Sequence, residues 1–315
     1  MNLPKKTVFW VIALVGLTGG FYLIDEQVED VNKASQASLR LFSFEPEDLQ
    51  AFWIKSRTDG LRARLVKEDK TWWLKKPVQA KADGPFIEKF LSNIVKARKD
   101  AVLFENPQPA KLEELGLATA ELEMGFETSA GTTVIQFGHK GPTHNIAYAR
   151  FQGDPRVYRI HSDVKEEADK HIYDLRDKTI LDFDPLKLSR FDMQRKNRDN
   201  IVIVHDKGRW NMIQPYSTRA AMSKVLETLY KIRNSQVKAF ISEKPADLKP
   251  YGLDTPGIKL TILEHEKNNV QQLLVGAKDR NRRGYFAKAD ASDEVFLIEE
   301  ALVNSLLVDA NEWKE

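Results

Sequence analysis

Charged side chains are missing from one stretch of this chain and interspersed through the rest. From Thr7 to Ile24, "TVFWVIALVGLTGGFYLI" runs 18 residues without a charge. As a helix it spans roughly 27 Å, close to a bilayer hydrocarbon core of about 30 Å. It has no polar face, which predicts a membrane span rather than a core helix. Lys5 and Lys6 precede it, and Asp25, Glu26, Glu29 and Asp30 follow. That asymmetry makes residues 1–24 a cytoplasmic tip and transmembrane signal-anchor, with everything after Ile24 outside. The run closes on Phe21, Tyr22, Leu23 and Ile24, not on the small residues a cleavage site needs. Residues 25–40 read as a polar stalk.

Beyond the stalk the pattern repeats. "KTWWLKKP" and "KGRWNMIQP" both place a Trp five residues before a Pro, at Trp72 and Pro77 and at Trp210 and Pro215, about 138 residues apart. "FEPEDLQAF" at Phe44 matches "FDPLKLSRF" at Phe183, and the alternating "LRARLV" and "NIVIVH" predict strands. Helical stripes follow: Phe86, Ile87, Phe90, Leu91 and Ile94 behind an Asp83 cap, and Met222, Val225, Leu226 and Leu229 behind Ser217 or Thr218. Short apolar strands come next, at Ala101 and Val237. "LEELGL" and "LKPYGL" then predict helical turns closed by Gly116 and Gly252 in the left-handed conformation. Each copy ends in a meander whose last hairpins are "AYARFQGDPRVYRI" and "YFAKADASDEVFLI".

The expected fold is therefore α+β: the transmembrane helix, then two tandem repeated domains, each an antiparallel sheet with a helix packed on one face. The first repeat covers 41–162, a helical linker 163–182, and the second repeat 183–315. In the linker Val164, Ala168, Ile172 and Leu175 share one stripe, too apolar for a flexible tether. The matched positions are Trp, Pro, Gly and apolar residues, which packing and backbone geometry select. Core packing is thus the expectation for Trp72 and Trp210, with carbohydrate stacking the rival.

Composition narrows the chemistry. The net charge is +2, from 48 basic and 46 acidic side chains, which argues against nucleic acid as a partner. With no cysteine there is no disulfide, thiolate nucleophile or cysteine zinc site. The six histidines form no H-x-x-x-H, and His139 and His144 beside a Gly-Pro loop lack a third ligand, so no metal site is expected. No nucleophile elbow, P-loop or dinucleotide fingerprint appears. Few titratable residues recur at matching positions of the repeats, as Lys140 and Lys278 do. No catalytic residue, cofactor or enzymatic activity is expected.

Two features remain as candidates for contact. "GAKDRNRRGY" gathers Lys278, Arg280, Arg282 and Arg283, a basic cluster suited to anionic headgroups or an acidic partner, or to an exposed hairpin tip kept soluble by charge. Gly16 and Gly20 have the small-residue spacing that lets the anchor helix pack closely on another.

The W-x-x-x-x-P phrase, the amphipathic helix, "YGLDTP" (Tyr251 to Pro256) and the strand ending in Val275-Gly276 resemble a bacterial envelope family, domain-of-unknown-function family 4340. Its members are often encoded beside ABC transporters of the gliding-motility type. The likeness covers about 250 residues, though "LGLATA" in the first copy lacks the Asp and Pro of "YGLDTP". It brings no catalytic residues with it. What it implies is a single-pass bacterial inner-membrane protein, N-terminus cytoplasmic and repeats periplasmic. There it would serve as a non-enzymatic accessory or scaffold subunit, its partners an ABC transporter permease and ATPase. The alternative is a periplasmic module capturing a glycan, lipid or peptide between the two repeats.

Overall fold

The computed structural model describes residues 39–143, 145–264 and 270–315. The expected anchor with Gly16 and Gly20, all but the last two residues of the stalk, His144 and His265 lie outside the described residues. Among the described residues no helix is long and apolar enough to cross a membrane. The chain divides into two compact units, Met1–Leu175 and Arg176–Glu315.

The first unit is a nine-stranded sheet in the order β4-β3-β2-β1-β6-β7-β8-β9-β5. Its strands are β1 (Ala51–Ser56), β2 (Gly60–Glu68), β3 (Thr71–Lys76), β4 (Ala80–Lys81), β5 (Lys99–Phe104), β6 (Leu122–Thr128), β7 (Gly131–Lys140), β8 (Ile146–Phe151) and β9 (Val157–His161). Each pairs antiparallel with its neighbours. The period-2 pattern explains why these segments are strands: in β6, Leu122, Met124 and Phe126 are all buried. Its helices are α1 (Gly84–Val95), α2 (Pro109–Glu114), α3 (Ser162–Ala168) and α4 (Ile172–Leu175). Asp83 caps α1 by accepting from the Phe86 N–H at 3.1 Å, and Ile87, Phe90, Leu91, Ile94 and Val95 are buried.

The second unit repeats that order with β10 (Leu188–Arg195), β11 (Ile201–Asp206), β12 (Arg209–Gln214), β13 (Thr218–Arg219), β14 (Ala239–Ser242), β15 (Ile258–Glu264), β16 (Val270–Asp279), β17 (Gly284–Ala289) and β18 (Val295–Glu299). Helix α5 (Met222–Asn234) answers α1, and α6 (Glu300–Leu306) answers α3. Both units are mostly β, with helices beside the sheet. Helix α5 differs from expectation in two ways. Its buried face is Val225, Thr228, Leu229 and Ile232, while Met222 is 57% exposed. Neither Ser217 nor Thr218 caps it, because Thr218 lies in β13. The cap is Ala221, whose N–H is satisfied by the Trp313 carbonyl at 2.8 Å.

That bond has a twin in the first unit, where the Asp83 N–H donates to the Leu175 carbonyl at 3.0 Å. The duplicated structure therefore runs on through Leu175 and Trp313. Residues 163–175 belong to the first unit, with Ala168 and Leu175 in its core. Ile180, Leu181 and Phe183 enter the core of the second.

Trp72 and Trp210 are 2% and 5% exposed, so both rings fill core and neither offers a face to a sugar. Their carbonyls accept from Ala82 and Ala220, and the peptide bonds before Pro77 and Pro215 are both cis.

Candidate functional site

A duplicated fold offers an internal comparison. Where the copies agree, the residue serves the fold. Where a polar or aromatic set stands in one copy and not in the other, the fold does not require it. Gly116 and Gly252 agree, at φ +68° and +65°, as the helical turns demand. One such disagreement surrounds a cavity on the first unit.

This cavity of about 540 Å³ opens between the chain entering β1 and the strands β5, β8 and β9. Its apolar wall is Phe42, Phe44, Phe151 and Tyr158. Phe42 anchors the group, with Phe44, Phe126 and Phe151 at centroid distances of 5.3, 5.1 and 5.5 Å. Phe44 and Phe151 are half-buried, whereas Phe42 and Tyr158 are buried. Three cations, Arg40, Lys99 and Arg156, face one carboxylate, Asp154, across the lining.

The carboxylate is saturated. Asp154 accepts from the Arg156 side chain at 2.7, 3.0 and 3.1 Å, from the Arg156 backbone N–H at 3.0 Å, and from the Tyr158 hydroxyl at 2.9 Å. The Arg156 guanidinium holds the Asp154 carboxyl far below its usual range, with the Arg156 N–H and Tyr158 hydroxyl adding to this and burial opposing it. Burial, then the bond to Asp154, pushes the Tyr158 phenol up to about 12, so it remains a donor. Arg40 pairs with Glu45 at 2.5 Å, outside the lining. Among the described residues no carboxylate pairs with the Lys99 ammonium, whose side-chain contact is the Tyr158 ring at 5.4 Å.

A depressed folded pKa makes the Asp154 network an acid-sensitive feature. Its contribution is present above the unfolded value of 3.8 and is lost as pH falls from there through the folded value. Asp154→Asn is expected to flatten the dependence of first-unit stability on pH below about 4. Urea midpoints at pH 5 and pH 3 check this. A slope as steep as that of the unsubstituted chain counts against the network.

The equivalent place in the second unit is built differently. Strand register matches Phe151 with Ala289 and Tyr158 with Phe296, and counting along the hairpin between them matches Asp154 with Ser292 and Arg156 with Glu294. Lys99 matches Val237, since their N–H groups donate to the equivalent Leu39 and Lys178 carbonyls. There Glu294 turns inward to Arg176, whose guanidinium also pairs with Glu243 at 2.7 Å and lies 3.7 Å from the centre of the Phe240 ring. The Arg176 side chain is 3% exposed. This closed ionic cluster fastens the start of the second unit to its last hairpin. A separate cavity of about 560 Å³ lies beside the end of α5. Its acids are already engaged: Asp182 faces Arg233 at 3.8 Å, and Glu264 accepts the Asp184 N–H.

The basic cluster expected from the sequence sits where β16 turns into β17. Lys278 pairs with Glu300, which raises its pKa, and Arg282 lies 3.9 Å from Asp279. The Arg283 carbonyl accepts from Lys238. Among the described residues Arg280 alone of the four has neither a carboxylate partner nor a tie through its backbone. The cluster presents less free charge than its composition implies. His139 lies against the α2 turn, 3.3 Å from the Glu114 carbonyl. Among the described residues no group of three His, Asp or Glu side chains is placed to hold a metal ion.

Of the cavity residues the sequence marks Phe44 as a repeated packing position and none as a binding residue, because the repeats share few titratable groups. The signal lay in the opposite place, where Lys99, Phe151 and Arg156 align with Val237, Ala289 and Glu294.

Fold and site together define a tandem pair of antiparallel, helix-backed domains, one bearing an aromatic and cationic pocket. The family described as a domain of unknown function (DUF4340) matches residues 72–218 and again 210–315, and the chain belongs to it. The two matches start at Trp72 and Trp210, the repeated residues themselves. No curated protein and no solved structure matches the chain.

Proposed function

We propose that this protein is a membrane-anchored periplasmic accessory or scaffold subunit of an envelope ABC transporter complex, without enzymatic activity of its own. The observation that carries the reading is the order of parts. A charge-free run of 18 residues with lysines before it and acids after it leads into two tandem domains matched in packing residues. Such a chain delivers folded surface to the outer side of a membrane. The resemblance to a family often encoded beside ABC transporters supplies the partner class.

In this reading the anchor lies beside the permease, where Gly16 and Gly20 permit close helix packing. Arg280 and its neighbours at the β16–β17 tip meet an acidic surface or anionic headgroups. The test is purification of the tagged full-length chain from its host in gentle detergent, with mass spectrometry of the proteins that co-elute. A permease and an ATPase in fixed ratio to the chain are expected. Elution of the chain alone would overturn the assignment.

The pocket on the first unit favours a second reading, ligand capture, since the second unit keeps the fold with neither Lys99 nor Phe151 at the equivalent places.

A further inference from the structure

We infer that the first-unit pocket is a binding site for an organic anion, a molecule carrying one carboxylate or phosphate ester on an apolar body. The anion sits against Lys99 and the body against Phe44 and Phe151. This site is independent of the transporter assignment.

Four observations converge on that chemistry. The cavity, at about 540 Å³, falls in the range of small-molecule sites. Its wall is aromatic, and a ligand would cover Phe44 and Phe151, which are half-buried. Its charge is unbalanced toward cations, because Asp154 is consumed by Arg156 and Tyr158 while Lys99 has no carboxylate partner among the described residues. The second unit carries Val237, Ala289 and Glu294 at the equivalent places, so the architecture stands without a cation or an aromatic ring there.

The last observation decides between ligands and mere packing. Had Lys99 and Phe151 been needed to hold β5, β8 and β9 together, the second unit would need their like. The charge pattern then decides the sign. A cationic ligand would meet Lys99 and Arg156 and find the one carboxylate taken. A neutral ligand would gain a hydrogen bond from the Lys99 ammonium but no ion pair. A simple inorganic anion would leave the aromatic wall unused. An amphiphilic monoanion uses both.

The experiment is calorimetric titration of the full-length chain in a neutral detergent with 4-phenylbutyrate, acetate, inorganic phosphate and 4-phenylbutanol. Saturable binding of 4-phenylbutyrate is expected, with the other three at least about tenfold weaker. Lys99→Val and Phe151→Ala install the residues the second unit carries at the equivalent places. Each is expected to weaken 4-phenylbutyrate about tenfold, the loss of one charge-assisted contact or one ring face. Hydrogen exchange across β8 and β9 checks that each variant keeps its fold. If Lys99→Val does not, Lys99→Gln removes the charge and keeps the stem.

Equal binding of 4-phenylbutanol would overturn the proposal in favour of a plain apolar groove. Equal binding of acetate or phosphate would reduce the site to a simple ion contact. Undiminished binding by Lys99→Val, or no saturation by about 10 mM, would also overturn it. Competition by oleate in phosphatidylcholine vesicles, against the same vesicles without it, separates the sources. Displacement assigns a membrane-borne acid, and its absence assigns a soluble one.

Discussion

Trp72→Ala lowers the stability of the first unit, and Trp210→Ala that of the second, by about 3–5 kcal/mol, the range for removing a buried Trp that its surroundings cannot replace. The two rings occupy one position in the duplicated fold. Trp72 packs edge-on against Phe52 at 5.4 Å, beneath the Lys67 ammonium at 5.8 Å. Trp210 stacks on His205 at 4.6 Å, and His205 takes the place in β11 that Lys67 takes in β2. Both sit beside short edge strands, β4 and β13, that cannot close over the cavity left behind. Trp73 is the internal control. Period 2 sends it to the opposite face, where it is 36% exposed, and Trp73→Ala costs less than about 1 kcal/mol. Native-state hydrogen exchange reads the effect unit by unit, through peptides over β2–β3 and β11–β12. A loss below about 1 kcal/mol for both buried Trp residues would remove them from the core and reopen the sugar-stacking role.

The repeat was legible because packing is written in residue types that alignment preserves. Trp, Pro, left-handed Gly and alternating apolar strands recur at a fixed spacing, and they place the strands, the helical turn and the hairpins of both units. Asp83 could be read as a cap because its side chain does the capping. The cap of α5 could not, because Ala221 is tied by a carbonyl arriving from Trp313, a contact no local pattern records. The same contact pair shows why 163–175 reads as a linker. Its helices are short, and their membership of the first unit rests on the burial of Ala168 and Leu175 in that core and on the bond from Asp83 to Leu175.

The buried face of α5 lies about a sixth of a turn from the stripe its apolar residues mark, for a related reason. Met222 is apolar but lies in the first turn, facing out, while Thr228 is buried because the sheet, not its own polarity, sets the face. The pocket is written in residues the copies do not share. Shared residues mark the scaffold, and Lys99, Phe151 and Arg156 stand where the second unit has Val237, Ala289 and Glu294.

Gly138→Ala and Gly276→Ala each cost about 1–3 kcal/mol, the range for forcing a methyl into a packed interior. The reason is backbone, not side chain. A Cβ at Gly138 would stand 2.2 Å from the Leu115 carbonyl oxygen, and one at Gly276 would stand 2.2 Å from that of Tyr251. At both places the helical turn lays its last carbonyls onto a strand of the meander, and in the first unit the His139 N–H takes that oxygen at 2.8 Å. The register of the strand shifts just beyond, between Phe137 and Lys140 and between Val275 and Lys278. Neither partner can swing aside as a rotamer does, so turn and strand must separate and His139 loses its acceptor. Gly84→Ala supplies the contrast. Nothing lies within 4 Å of a Cβ there, and the residue opens α1 without a left-handed φ. It should stabilise the first unit by about 0.4–1 kcal/mol through the unfolded chain. Hydrogen exchange over Leu112–Leu117 and β7 should show the Gly138→Ala loss concentrated at that junction. A variant as protected there as the unsubstituted chain would mean that the turn does not press on the strand, and that the repeated Gly serves some other need.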